Sequence, residues 1–189
     1  MSQSTPAHAP PMEPSAAATQ EELRLAHEQG EAVRKAFVYF AGKEGEQGRE
    51  QPTGDYLVGC VVKRAEGFYE RRDGRLEWRA PEASENAHID VSVRDGADGR
   101  FVPGLTVLAT VIDGEGREIG TDRHPFVWHP WIYHYGRDWR LPGDGRYAIR
   151  IRIEPPDFPR RDRINGRRYA DAVEVEFTGV TVATGRKEE

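Results

Sequence analysis

The chain has 189 residues, 31% of them charged, with a formal net charge of −5 and a mean hydropathy of −0.75. That length supplies one core rather than two, and a mildly acidic chain with no basic stripe excludes nucleic acid as a partner. Cys60 is the only cysteine, which excludes an intrachain disulfide, a Cys-rich zinc knuckle and Cys-x-x-Cys redox chemistry, and no apolar run is long enough to span a bilayer.

Residues 1–18 hold four prolines and almost no large apolar side chain, so they cannot offset the entropy of ordering and are expected to form a disordered tail. They show neither a basic n-region nor an apolar h-region, which predicts a cytoplasmic protein as the sequence stands, or a periplasmic or extracellular one if a targeting segment has been removed. Thr19-Gln20-Glu21-Glu22 matches a capping box, and Leu23, Ala26, Val33, Phe37 and Phe40 recur at near-helical spacing. A helix over 20–40 follows, with Gly30 as its weak point. The polar, Gly-rich stretch 42–54 reads as a linker, so 19–54 is helix and linker and 55–189 is the main domain.

From Tyr56 the hydrophobic period becomes two, which predicts an all-β fold, an antiparallel β-sandwich with an N-terminal helical extension. Strands are expected at 56–64, 65–69 leading into a hairpin at Asp73-Gly74, 88–93, 105–113, 146–154 and 172–182. Turn signals stand at Asp95-Gly96, Asp113-Gly114 and Asp144-Gly145. Tyr147, Ile149, Ile151 and Ile153 alternate with Arg150, Arg152 and Glu154, and Val173, Val175 and Phe177 alternate with Glu174 and Glu176, giving one buried and one wet face. Cys60 lies in a strand-like run and reads as a buried, inert thiol. Gly114, Gly116 and Gly120 read as a hairpin turn rather than a nucleotide loop. Arg160, Arg161, Arg163, Arg167 and Arg168 share their segment with Asp162 and Asp171 and read as a solvated loop.

The chemistry-bearing residues cluster. Four of the six histidines, with Asp90, fall between positions 88 and 134. His88 and Asp90 stand two apart on a strand, so they share a face, while Ile89, Val91 and Val93 take the other. The apolar face must be the core, so the histidine and carboxylate look outward, where a nitrogen and an oxygen donor suit zinc, iron, manganese or copper(II). His124, His129 and His134 are spaced by five, which fits neither a strand face nor a helical face, and Pro125 and Pro130 oppose regular pairing. A folded loop packed by Trp128, Trp131, Tyr133, Tyr135 and Trp139 is therefore predicted to bring them together. A lone histidine on a strand usually serves as an ordinary hydrogen-bonding group. The concentration of five donors in one segment is what favours a metal site at His88, Asp90, His124, His129 and His134.

Three stretches resemble the periplasmic ferrous-iron transport protein family: Ala87-His88-Ile89-Asp90, similar to its His-x-Glu strand; Phe101-Val102-Pro103-Gly104-Leu105-Thr106-Val107, similar to its Val-Pro-x-Leu-Thr strand; and Tyr133-His134-Tyr135-Gly136, similar to its His-Tyr-Gly metal loop. Glu154-Pro155-Pro156 after a long strand fits as well. The resemblance spans about 55–182. It implies an immunoglobulin-like sandwich that binds copper, iron or manganese, with His88, Asp90 and His134 as ligands, a homodimer, and a place beside an iron permease or other membrane partner. The family's methionine ligand has no counterpart, since the only methionines are Met1 and Met12; Phe126 or His124 takes its place, and His129 falls near the family's acidic loop residue. Loss of a thioether shifts preference from copper(I) toward harder divalent ions.

Two functions are consistent with these residues. One is a metal-binding protein of iron or copper uptake, which binds reversibly without turnover. The other is an iron- or copper-dependent enzyme with an aromatic-lined pocket at an open coordination site. A third reading, an interaction module using the helix or the proline-rich tail, leaves the histidine cluster unexplained.

Overall fold

The computed structural model describes residues 9–43 and 48–187. Among these residues eleven strands and one helix follow one another as α1 (Gln20–Lys43), β1 (Arg49–Thr53), β2 (Tyr56–Lys63), β3 (Phe68–Arg72), β4 (Arg75–Arg79), β5 (Ala87–Asp95), β6 (Val107–Ile112), β7 (Glu118–His124), β8 (Phe126–Trp128), β9 (Tyr133–Trp139), β10 (Gly145–Ile153) and β11 (Val173–Val182). A five-stranded sheet in the order β1-β2-β5-β9-β8 faces a four-stranded sheet in the order β11-β10-β6-β7, and β3-β4 form a separate hairpin. All pairings between strands of the sheets are antiparallel, and the fold is an immunoglobulin-like β-sandwich.

The core lies between the sheets. Ile89, Val91 and Val93 of β5 meet Val107, Ala109 and Val111 of β6 and Ile149, Ile151 and Ile153 of β10, all fully buried, as the period-two alternation requires. Cys60 joins this core, and burial pushes its thiol up to about 12. The β3-β4 hairpin turns through Asp73 (φ 47°) and Gly74 (φ 80°), two consecutive left-handed residues that match the twist of the strands they join.

Helix α1 begins with the capping box read from the sequence: Thr19 Oγ1 accepts from Glu22 N at 3.2 Å, and Glu22 Oε2 accepts from Thr19 N at 2.7 Å. Its buried stripe, Ala26, Gly30, Phe37, Phe40 and Ala41, lies over the outer face of the five-stranded sheet, where Phe37 and Phe40 pack with Val61 and Ile132. Two glycines key the helix in place. A Cβ on Gly30 would fall 1.7 Å from the Asp98 carbonyl oxygen, and one on Gly59 would fall 2.6 Å from the Phe37 ring. Gly30, a liability by propensity, is thus a point where the helix and the Asp98-Gly99 turn approach too closely for a side chain.

Several expectations change. Residues 9–18, assigned by composition to a disordered tail, run as an irregular segment held to the loop after β10: Asn165 exchanges two hydrogen bonds of 2.9 Å with the Glu13 backbone, and Ser15 Oγ donates to Asp162 at 2.8 Å. Residues 1–8 of that tail lie outside the described residues. The 42–54 linker contains β1, an edge strand paired to β2, while residues 44–47 lie outside the described residues. Arg168, expected in a solvated loop, is buried and forks onto Asp95 at 2.9 and 3.3 Å. The folded loop predicted over the histidine-rich segment is instead three strands, β7, β8 and β9, with Pro125 and Pro130 at the breaks between them. Trp128, Trp131 and Tyr133, expected to pack that loop, are exposed, while Tyr135 and Trp139 enter the core.

Candidate metal centre

Strand β5 is buried along both faces. Its inner face feeds the core; its outer face carries His88, Asp90, Ser92 and Arg94, and α1 covers that face. His88 and Asp90 therefore look outward from the sandwich, as expected, yet are only 0% and 2% exposed. A charged pair in such a place is costly unless it is matched by partners or by an ion.

Strand β9 supplies the third donor. It pairs beside β5 with Asp90 opposite Gly136 and His88 opposite Asp138, and His134, two residues before Gly136, projects from the same outer face. One donor atom each from His88, Asp90 and His134 lie within 4.8 Å of one another. His88 Nε2 stands 3.1 Å and His134 Nε2 2.8 Å from Asp90 Oδ1, yet none of these three atoms has a partner with the alignment of a hydrogen bond. Three buried donor atoms that crowd together without an aligned partner form a set that could hold an ion. Gly136 leaves that space open: a Cβ there would fall 2.6 Å from His88 Nε2, 3.1 Å from Asp90 Oδ1 and 3.3 Å from His134 Cδ2.

The surroundings orient the donors. His88 Nδ1 lies 2.7 Å from Asp138 Oδ1 in hydrogen-bonding geometry, so with the proton on Nδ1 the ring presents the Nε2 lone pair to the cluster, the usual carboxylate support of a metal-binding imidazole. Arg79 Nη1 stands 3.6 Å from the other Asp138 oxygen. Lys63, opposite His88 on β2, reaches to 3.1 Å from Asp90 Oδ2. Lys63, His88 and Asp138 thus form one row across three neighbouring strands. Aromatic rings close the space: Phe40 of α1 stacks on His134 at 5.8 Å and Phe68 of β3 tilts over His88 at 5.1 Å.

Electrostatics follow from burial against charge. Burial alone would depress His88, but the Asp90 carboxylate and the Asp138 hydrogen bond outweigh it and raise the imidazole to about 9. Burial would likewise raise Asp90, but His134, Lys63 and His88 outweigh it and hold the carboxyl well below its ordinary range.

The other two histidines of the sequence-derived set stand outside the cluster. His124 ends β7 in the four-stranded sheet; its ring is fully buried in the core, accepts a hydrogen bond from Trp139 Nε1 at 3.1 Å, and is pushed down to about 3 by burial. His129 sits half-buried between β8 and β9 with its ring edge-on to Trp131 at 5.4 Å. Sequence reasoning missed Lys63, Asp138 and Arg79, whose roles depend on strand register and hairpin placement. The aromatic-lined cavity of about 540 Å³, with walls from Phe101, Val102, Pro103, Phe126, Tyr133 and Tyr169, shares none of its lining with the cluster.

A family model described as Fe2+ transport protein matches residues 79–178. Among solved structures, FetP of uropathogenic Escherichia coli strain F11 superposes with a TM-score of 0.60 at 19% identity, covering 72% of this chain and 94% of that one. A copper-bound variant of FetP gives 0.59 at 17%, covering 75% and 94%. Copper-reconstituted P19 of Campylobacter jejuni gives 0.59 at 13%, covering 74% and 96%. At these identities the likeness is one of fold. No curated protein matches the chain.

Proposed function

Because this chain belongs to the Fe2+ transport protein family, we propose that it is a metal-binding protein of iron or copper handling that holds one divalent transition ion between His88, Asp90 and His134. The observation that carries this reading is the buried, mutually unaligned donor set of two imidazoles and one carboxylate around the space left by Gly136. Two borderline nitrogens and one hard oxygen suit copper(II), iron(II), manganese(II) or zinc. Met12, the one methionine among the described residues, lines a cavity with Glu22, Leu23 and Asn165, so among those residues no soft thioether joins the donors, which disfavours copper(I). Copper is bound in a FetP variant and in reconstituted P19 among the solved structures, which supports a transition metal here and leaves its identity to measurement.

The alternative, a metal-dependent enzyme, requires a pocket that opens on the donors; the aromatic-lined cavity shares no lining residue with them. The cytoplasmic placement read from the N-terminus finds no support in the relatives; FetP was produced in the periplasm, and we place this protein there, as a homodimer working beside a membrane iron permease. Cell fractionation and the mass of the native protein in solution test those two points. Among the described residues no helix is long and apolar enough to cross a membrane.

The deciding experiment is metal content. Purified protein loaded with copper(II), manganese(II) or zinc and then dialysed is expected to retain one ion per chain. His88→Ala and His134→Ala are expected to retain none while keeping the β circular dichroism. Full retention by both variants ends the assignment.

A further inference from the structure

Lys63 places a buried ammonium against one of the proposed donors. Its side chain is 3% exposed. Nζ lies 3.1 Å from Asp90 Oδ2 and 2.5 Å from Glu66 Oε1, and 4.9 Å from the centre of the Phe40 ring. Glu66 is in turn 3.0 Å from Lys187. Burying an ammonium is costly, and an apolar replacement of a whole buried ion pair is often as stable. Strand register fixes the residue where it matters chemically, because Lys63 stands directly opposite His88 and one strand step from Asp90.

We propose that Lys63 is a specificity-determining counter-cation of the metal centre: by holding its ammonium 3.1 Å from Asp90 Oδ2, an ion pair without an aligned hydrogen bond, it biases the carboxylate to bind through Oδ1, and by compensating Asp90 when the ion departs it weakens binding and speeds release. This rests on the three-residue metal centre proposed above. The two sides of Asp90 divide the work. Oδ1 faces His88 and His134; Oδ2 faces the ammonium. Two imidazoles, one carboxylate and a fixed positive charge make a donor set less anionic than its residues alone, which disfavours retention of any divalent cation. Glu66 keeps the ammonium seated, and the Phe40 ring covers it through a cation–π contact. Asp90 and Glu66 flank the ammonium on two sides, at 3.1 and 2.5 Å.

The sign of the effect separates this role from an orienting one. Removing a group that merely orients a ligand weakens metal affinity by about 10- to 100-fold, whereas removing a competing cation strengthens it. The experiment compares full-length wild type, Lys63→Met, Lys63→Gln and Lys63→Arg by competition for copper(II) and manganese(II) against a chelator, and by stopped-flow release into excess EDTA. The expected result is affinity at least about tenfold tighter in Lys63→Met and Lys63→Gln, with release slowed by a similar factor, and near-wild-type behaviour in Lys63→Arg. Lys63→Gln carries the comparison if the methionine variant does not fold. Equal or weaker affinity in the neutral variant overturns the proposal. A wild-type protein that binds neither ion overturns the metal centre itself, which is a different outcome and recognisable as such.

Discussion

Gly136→Ala removes nothing from the donor set and adds one methyl group, which makes it the sharpest probe of whether the donors face a shared ion. The added Cβ would fall 2.6 Å from His88 Nε2, 3.1 Å from Asp90 Oδ1 and 3.3 Å from His134 Cδ2. A carbon needs about 3.5 Å from its neighbours, so the imidazole of His88 must retreat by about 1 Å. Ligand bonds of about 2.0–2.2 Å do not tolerate a methyl inside the coordination space or a donor shift of that size. Gly136 is not among the residues at positive φ, so alanine meets no backbone strain there. The cost to the fold is that of overpacking, about 1–3 kcal/mol, or roughly 2–4 °C of Tm for each kcal/mol in a chain of this size. Metal affinity, in contrast, is expected to fall by about a thousandfold or more, about 4 kcal/mol. Isothermal titration with copper(II) or zinc, alongside a thermal melt, measures both. One ion per chain bound at wild-type affinity by a folded Gly136→Ala protein refutes the geometry.

Other predictions follow from the surroundings. Asp138→Ala frees the His88 ring and its tautomer, and metal affinity is expected to drop by about 10- to 100-fold; an unchanged dissociation constant would show that the 2.7 Å contact is incidental. His124→Ala is expected to keep full metal stoichiometry while losing about 2–4 kcal/mol of stability, because it removes a fully buried ring bonded to Trp139; loss of the metal from a folded variant would return His124 to the ligand set. pH acts in opposite directions on the two states. In metal-free protein the His88 value rises from 6.5 to about 9, so its stabilising contribution is complete below pH 6.5 and is lost as pH climbs through 9. An ion must displace that proton, so apparent affinity rises over the same range, by up to about tenfold per pH unit. The Tm increase given by zinc is expected to grow from pH 6 to pH 9, and a constant increase contradicts the raised imidazole.

Where alternation was clean, the sequence was enough. Tyr147, Ile149, Ile151 and Ile153 mark β10, and the two-residue step from His88 to Asp90 puts both on one face because strand geometry allows nothing else. The segment 118–139 resisted because its signals conflict. β7 is charged and β8 is three residues long, and Pro125 and Pro130 read as barriers to pairing although they only separate strands. His134 reaches Asp90 through the alignment of β9 with β5, a long-range fact that no local pattern encodes. The burial of the outer face was equally invisible, since a polar strand face is ordinarily wet and the docking of Phe37 and Phe40 from α1 and of Phe68 from β3 makes this one dry. Lys63 and Asp138 were missed for the same reason: each matters through its cross-strand partner, not through its neighbours in sequence.

The row formed by Lys63, His88 and Asp138 sits on three adjacent strands, so the spacing between its members is a lattice constant of the sheet, about 4.8 Å per step, and not a matter of how side chains settle. Rulers of that kind do not stretch. On such a scaffold, exchanging one side chain of the row for another changes the chemistry at a fixed coordinate and leaves the site where it was.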